Sequence, residues 1–116
     1  VTRFAPCPAS PNCVSSKAAD DKHRVEPFPF SGSAAESLAR VKAAALALPR
    51  AKVAAEEPGY VRLAFKSALF GFVDDLELEA DEAAKVVNVR SAARVGYSDL
   101  GVNRKRVEAI RAKLGG

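Results

Sequence analysis

The spacing of apolar residues changes period near residue 50. Before it, Leu38, Val41, Ala45 and Leu48 recur at +3, +4 and +3, the apolar stripe of one helix face. Ser33-Ala34-Ala35-Glu36 supplies a capping box at its start, and Pro49 stops it. Arg40 and Lys42 fall on the solvated side. From Lys52 the period is two. Lys52–Glu57 reads as a short strand, and Pro58-Gly59 marks a turn. Tyr60–Lys66 alternates, with Val61, Leu63 and Phe65 on one face and Arg62 and Lys66 on the other. Residues 68–71 read as a loop. Phe72–Asp81 sets Leu76, Leu78 and Ala80 against Glu77 and Glu79, and Lys85–Ser91 sets Val87 and Val89 against Asn88 and Arg90. The helical period returns between Leu100 and Leu114, with Val107, Ile110 and Leu114 in line and Ser98 or Asp99 placed as N-cap.

Four strands joined by short connections predict an antiparallel meander. Each helix has one apolar stripe and the sheet one apolar face. The economical packing is a two-layer α+β sandwich in the order αββββα, with both helices on one face. An acidic strand (Asp75, Glu77, Glu79) is expected between strands carrying Arg62, Lys66 and Arg90, which favours cross-strand pairing. Residues 1–32 are rich in Pro, Ser and Asp and carry no period. They are expected to form an irregular arm. The 116 residues then make one domain, 1–116, large enough for a single core.

Charge sharpens this picture. From Arg90 onward there are seven Lys and Arg against two Asp and Glu, whereas residues 1–89 hold eleven against twelve. The basic character belongs to the last strand-to-helix junction and the helix after it. Arg90, Arg94 and Arg104 flank a helix N-terminus there, with Tyr97 and two glycines between them. A helix N-terminus with arginines is a natural anion site. The competing reading pairs these arginines with Asp74, Asp75 and Asp99 to fix the junction. Asp74 has the parity of Leu76 and Leu78, so it faces the helix layer and needs a partner; Arg94, Arg104 or Asn103 could serve. Asn103 lies on the apolar stripe of the last helix. An inward Asp and an inward Asn together predict a buried polar network.

Cys7 and Cys13, with five residues between them, favour a disulfide over free thiols or metal ligation, and hence an oxidising compartment. A Cys7/Cys13/His23 metal site lacks zinc-finger spacing and a fourth ligand. No cofactor is expected. A hydrolase built on Ser15 or Ser16 with His23 lacks a nucleophile signature. Leu69, Phe70 and Phe72 are expected to plug the sheet edge rather than touch a lipid or a partner. The sequence pI of about 9.3 raises nucleic acid as a partner, but no binding motif accompanies it. No apolar run approaches the ~18 residues of a membrane span. The chain contains no methionine, so Val1 reads as the start of a processed or trimmed form.

Three stretches taken together, Cys7–Ser16, Gly71–Asp75 and Val89–Arg104 with Arg106-Val107-Glu108, resemble the DUF1499 family, and the likeness covers nearly the whole chain. The resemblance implies a bacterial or plastid protein, often behind a signal sequence or a membrane anchor, and no assigned catalytic residues. Ala92-Ala93 departs from it, since a serine is common at the second position. The combined expectation is a non-enzymatic domain of the periplasm or cell envelope. It would bind a small anionic ligand, a lipid headgroup or an envelope protein at Arg90, Arg94, Tyr97 and Arg104, with peripheral membrane association a possible mode. The alternatives are a hydrolase or transferase acting on an anionic substrate through Asp74 with Ser15, Ser91 or Tyr97, and a purely structural or interaction module.

Overall fold

The computed structural model describes residues 2–68 and 71–115. The chain is α+β. Strands β1 (Cys13–Ser15) and β2 (Phe28–Pro29) precede helix α1 (Ala34–Leu46); β3 (Ala51–Glu57), β4 (Tyr60–Lys66), β5 (Val73–Asp81) and β6 (Val86–Ala93) follow, and helix α2 (Val102–Lys113) ends the fold. The four long strands pair antiparallel in sequence order, β3 to β4, β4 to β5 and β5 to β6.

The sheet has six strands, not the expected four. The two extra strands come from the arm. β1 pairs with residues 90–92 of β6, and β2 with residues 86–87, both on the edge that β5 leaves open. An uncovered β6 would present a row of unpaired backbone groups, and the arm satisfies them. Two- and three-residue strands are too short to show a period, which is why this segment reads as coil.

Core-facing strand residues Val61, Leu63, Phe65, Leu76, Leu78, Val87 and Val89 join Val41 and Ala45 of α1 and Val107 and Ile110 of α2 in one buried cluster. Both helices therefore cover the same sheet face. The capping box of α1 forms as expected, with Ser33 and Glu36 reciprocally bonded. Among the described residues no helix is long and apolar enough to cross a membrane. Phe72 does not plug the sheet edge, because 58% of it is exposed; Leu69 and Phe70 lie outside the described residues.

The other sheet face is not open to solvent throughout. Residues 2–7 of the arm cross it. Thr2 Oγ1 donates to Glu79 (2.6 Å), Arg3 stacks over Tyr60 and pairs with Glu57 (2.6 Å), and Cys7 is disulfide-bonded to Cys13. Phe4, Asn88 and Ala92 are buried on this face.

Candidate functional site

The chain enters α2 through two residues in the left-handed region, Leu100 (φ 55°) and Gly101 (φ 79°). Gly101 takes this conformation without a Cβ penalty and occupies the N-cap position, where it has no side chain to offer. Asp99 does the capping from two residues upstream. Its Oδ1 accepts the Gly101 N–H at 2.8 Å and its Oδ2 the Asn103 N–H at 3.0 Å. Burial pushes the Asp99 carboxyl up, but the Asn103 side chain and these backbone N–H groups hold it, on balance, below the usual carboxylate range.

Asn103 is fully buried and is the hub of a polar network. Its Nδ2 donates to Asp99 Oδ2 (2.9 Å), while its Oδ1 accepts from Ser91 Oγ (2.6 Å) and Arg106 Nη1 (2.7 Å). Arg106 goes on to pair with Asp74 (2.9 Å) and lies over the ring of Phe65. From the arm, the Asn12 carbonyl accepts the Ala93 N–H (3.0 Å), and Asn12 Nδ2 donates to the Gly96 carbonyl (2.7 Å). The three sequence motifs thus meet around one asparagine. The partner of Asp74 is Arg106, not Arg94, Arg104 or Asn103. Arg106 lies one turn past Asn103 on the same side of α2, where it reaches the first residues of β5.

The arginines of the junction do not gather at the helix N-terminus. Arg94 turns to the outer sheet face, where its fork grips both oxygens of Asp75 at 2.8 and 2.9 Å, and Arg62 adds a third contact at 3.3 Å. The Arg94 hydrogen bonds outweigh burial and, with Arg62, hold Asp75 below the usual carboxylate range. The same pairing raises Arg94. Arg90, also outward, sits 3.6 Å from Glu77 and donates to the Pro6 carbonyl at 3.4 Å. Its Nε is buried without a partner. Glu77 also accepts the Tyr60 hydroxyl (2.6 Å), and burial together with that carboxylate pushes the phenol well above its ordinary value. Arg104 lies on the helix side, holding the carbonyls of Lys22 (2.9 Å) and Arg24 (3.0 Å). Tyr97 is exposed in the β6–α2 connection.

Of the groups drawn into an enzymatic or metal reading, all but the exposed Tyr97 are engaged in structure. Asp74 is ion-paired, the Ser91 hydroxyl is bonded to Asn103, and Ser15 Oγ accepts the Lys17 N–H (3.1 Å). Both thiols are consumed by the disulfide. The His23 ring nitrogens face Asp20 (2.6 Å) and the Ser10 carbonyl (2.9 Å), tying the arm to itself. Among the described residues no three His, Cys, Asp or Glu side chains are grouped to hold a metal.

A different basic site is present on the outer face. A concavity of about 850 Å³ opens between the start of β3, the end of β4 and the start of β5. Arg50, Lys52, Lys66 and Arg94 line it over Ala64 and Val73, and no Asp or Glu is among its lining residues. Register explains the convergence, because Lys52 stands opposite Ala64 and Lys66 opposite Val73. Arg50, at φ 59°, is clamped to β4: its Nε donates to the Lys66 carbonyl (3.0 Å), and its own carbonyl accepts the Lys66 N–H (3.2 Å). Sequence reasoning passed over Arg50, Lys52 and Lys66. They are scattered along the chain, and strand parity assigns Lys66 to a solvated face. The available signal was their shared outward parity beside Arg94.

No curated protein and no solved structure matches the chain. The family model described as a protein of unknown function, DUF1499, matches residues 3–114, and the chain therefore belongs to the DUF1499 family.

Proposed function

We propose that this protein is a non-enzymatic domain of the cell envelope that binds an anionic group in the concavity of Arg50, Lys52, Lys66 and Arg94. The observation that carries the reading is the lining itself: four basic side chains and no Asp or Glu line it, Arg94 being ion-paired with Asp75. Like charges held together at a concave surface raise the local concentration of anions. Arg94 has one side of its fork on Asp75, so it is oriented before any ligand arrives. The Cys7–Cys13 disulfide supports an oxidising compartment. The engagement of Asp74 and Ser91 within the buried network supports binding over hydrolysis or group transfer.

The test is a thermal-shift titration with inorganic phosphate at constant ionic strength. A bound anion stabilises the native state by mass action, and at roughly tenfold Kd the expected rise in Tm is about 5 °C. Lys52→Ala/Lys66→Ala is expected to remove the shift, and Lys113→Ala, at the far end of α2, to leave it. No shift with phosphate, or an equal shift in the double variant, would overturn the assignment.

A further inference from the structure

Two connections leave the same end of the sheet, β4–β5 and β6–α2. The Arg94 N–H donates to the Val73 carbonyl at 3.1 Å, so Phe72 and Val95 lie one residue either side of a bond joining the two. Val102 stands one helical turn before Arg106, which is held to Asp74 at the start of β5. Apolar side chains from both connections therefore project at one end. Phe72, Val95, Tyr97, Leu100 and Val102 are 58%, 61%, 68%, 85% and 43% exposed. They are five of the seven large hydrophobic residues that are exposed among the described residues. Scattered single exposures are ordinary, whereas a grouping of this kind marks a contact surface.

Charge identifies what that surface meets. The basic concavity adjoins it on the outer face, and exposed Lys105 lies in the first turn of α2. Each carboxylate near this end is turned onto a donor: Asp74 to Arg106, Asp75 to Arg94 and Arg62, and Asp99 to backbone and Asn103 N–H groups. At the opposite end the strand register places Glu56, Glu57, Glu79 and Asp81, of which Glu56 pairs with Lys42 and Glu57 with Arg3. An apolar tip with a basic flank, whose neighbouring carboxylates are already engaged, is complementary to an anionic lipid surface. Tyr, Phe and Leu enter the headgroup boundary while Lys and Arg meet the phosphates.

We infer that this end of the domain docks on the surface of an anionic lipid bilayer, with Phe72, Tyr97 and Leu100 entering the interface and the basic concavity against the lipid phosphates. The inference deepens the anion-binding reading and rests on it for its electrostatics, while the apolar contact is independent of it. Co-sedimentation with vesicles of phosphatidylcholine alone, and of phosphatidylcholine mixed with phosphatidylglycerol, tests it. Binding is expected to the mixed vesicles and to fall with added salt. Tyr97→Ser/Leu100→Ser, at exposed positions, is expected to keep its Tm and its phosphate shift but lose vesicle binding at least tenfold. Lys52→Ala/Lys66→Ala is expected to weaken vesicle binding roughly fivefold per cation. Absence of binding to mixed vesicles with the phosphate shift intact overturns the docking and leaves the anion site standing. Vesicle binding that persists in Tyr97→Ser/Leu100→Ser also overturns it. Vesicle binding without a phosphate shift keeps the docking and removes the concavity as a discrete anion site. Concentration-dependent dimerisation abolished by Tyr97→Ser/Leu100→Ser, with no vesicle binding, overturns the inference in favour of a second copy of this chain.

Discussion

Replacing Asn103 by alanine removes the hub of the buried network, and the structure sets the size of the loss. Three bonds shorter than 3 Å end on its side chain, from Ser91, from Arg106 and to Asp99. The Ser91 hydroxyl, itself fully buried, loses its acceptor, and an unsatisfied buried polar group costs about 1–3 kcal/mol. The Arg106 bond is charge-assisted and contributes about 1.5–3 kcal/mol, although Arg106 keeps Asp74. Asp99 loses least, since two backbone N–H groups remain on it. These terms overlap, so the expected net loss is about 3–4 kcal/mol, a large part of the roughly 5–15 kcal/mol that holds a domain together. Urea unfolding followed by far-UV circular dichroism reads it as a lower midpoint at unchanged slope. At about 4 °C per kcal/mol, Tm falls by on the order of 15 °C. Lys105→Ala, exposed on the same turn of α2, is the control and is expected to stay within about 0.5 kcal/mol of the parent. A loss below about 1 kcal/mol for Asn103→Ala would mean that the network is decorative and that Asn103 does not hold the junction together.

The disulfide closes a short loop, and Cys7→Ser/Cys13→Ser is expected to cost about 2 kcal/mol in the loop-entropy picture. Thiol titration of the unreduced, denatured protein should find no free cysteine, and two reactive thiols would refute the bond. Asp75 is held below its ordinary value by Arg94, burial opposing and Arg62 assisting. A depressed carboxylate stabilises the fold above its unfolded pKa, and that contribution is lost as pH falls through the folded value. Stability should therefore decline on acidification below about pH 5, and Arg94→Ala should flatten the decline. An unchanged pH profile in Arg94→Ala would remove the pair as its source.

Periodicity made the two helices and the four long strands legible, because those segments bury one face and leave the other wet. Val61, Leu63 and Phe65 against Arg62 and Lys66 is such a case, and β4 runs from Tyr60 to Lys66 as read. The arm was opaque for the opposite reason. Cys13–Ser15 is buried at all three residues, and Phe28–Pro29 is too short to alternate. The buried network was legible as inward Asp74 and inward Asn103, but its pairings were not. Asp74 had several arginines within reach on paper, and Arg106 is the one that α2 carries on its Asn103 side, where it meets Asp74. Arg94 and Arg104 lie in one sequence motif yet on opposite faces of the molecule, since the chain crosses the sheet edge between them. Motif proximity therefore overstated the arginine cluster. The concavity, in which register brings Lys52 and Lys66 beside Arg50, left only the shared outward parity of its cations as a trace.

The buried network and the basic surface are connected by the way the acids are used. Buried polar and ionic networks such as this one often stabilise a fold no more than well-packed apolar residues of similar volume. What they add is a single fixed geometry for the two connections at the tip. Asp99 sets the start of α2, Asn12 pins Gly96, and Arg106 anchors the helix to β5. In doing so the structure turns Asp74 and Asp99 inward, and Asp75 is closed by Arg94 on the outer face. The carboxylates that would cancel Arg50, Lys52, Lys66 and Lys105 are thereby satisfied internally. A positive field at this end follows from how the junction is locked, without any dedicated ligand-binding motif. The stretches Cys7–Ser16, Gly71–Asp75 and Val89–Arg104 thus fix the geometry of the junction. Of the residues proposed to make contact, Lys52 and Lys66 lie outside those stretches and are placed by strand register, and Tyr97 and Leu100 lie within them as exposed loop residues.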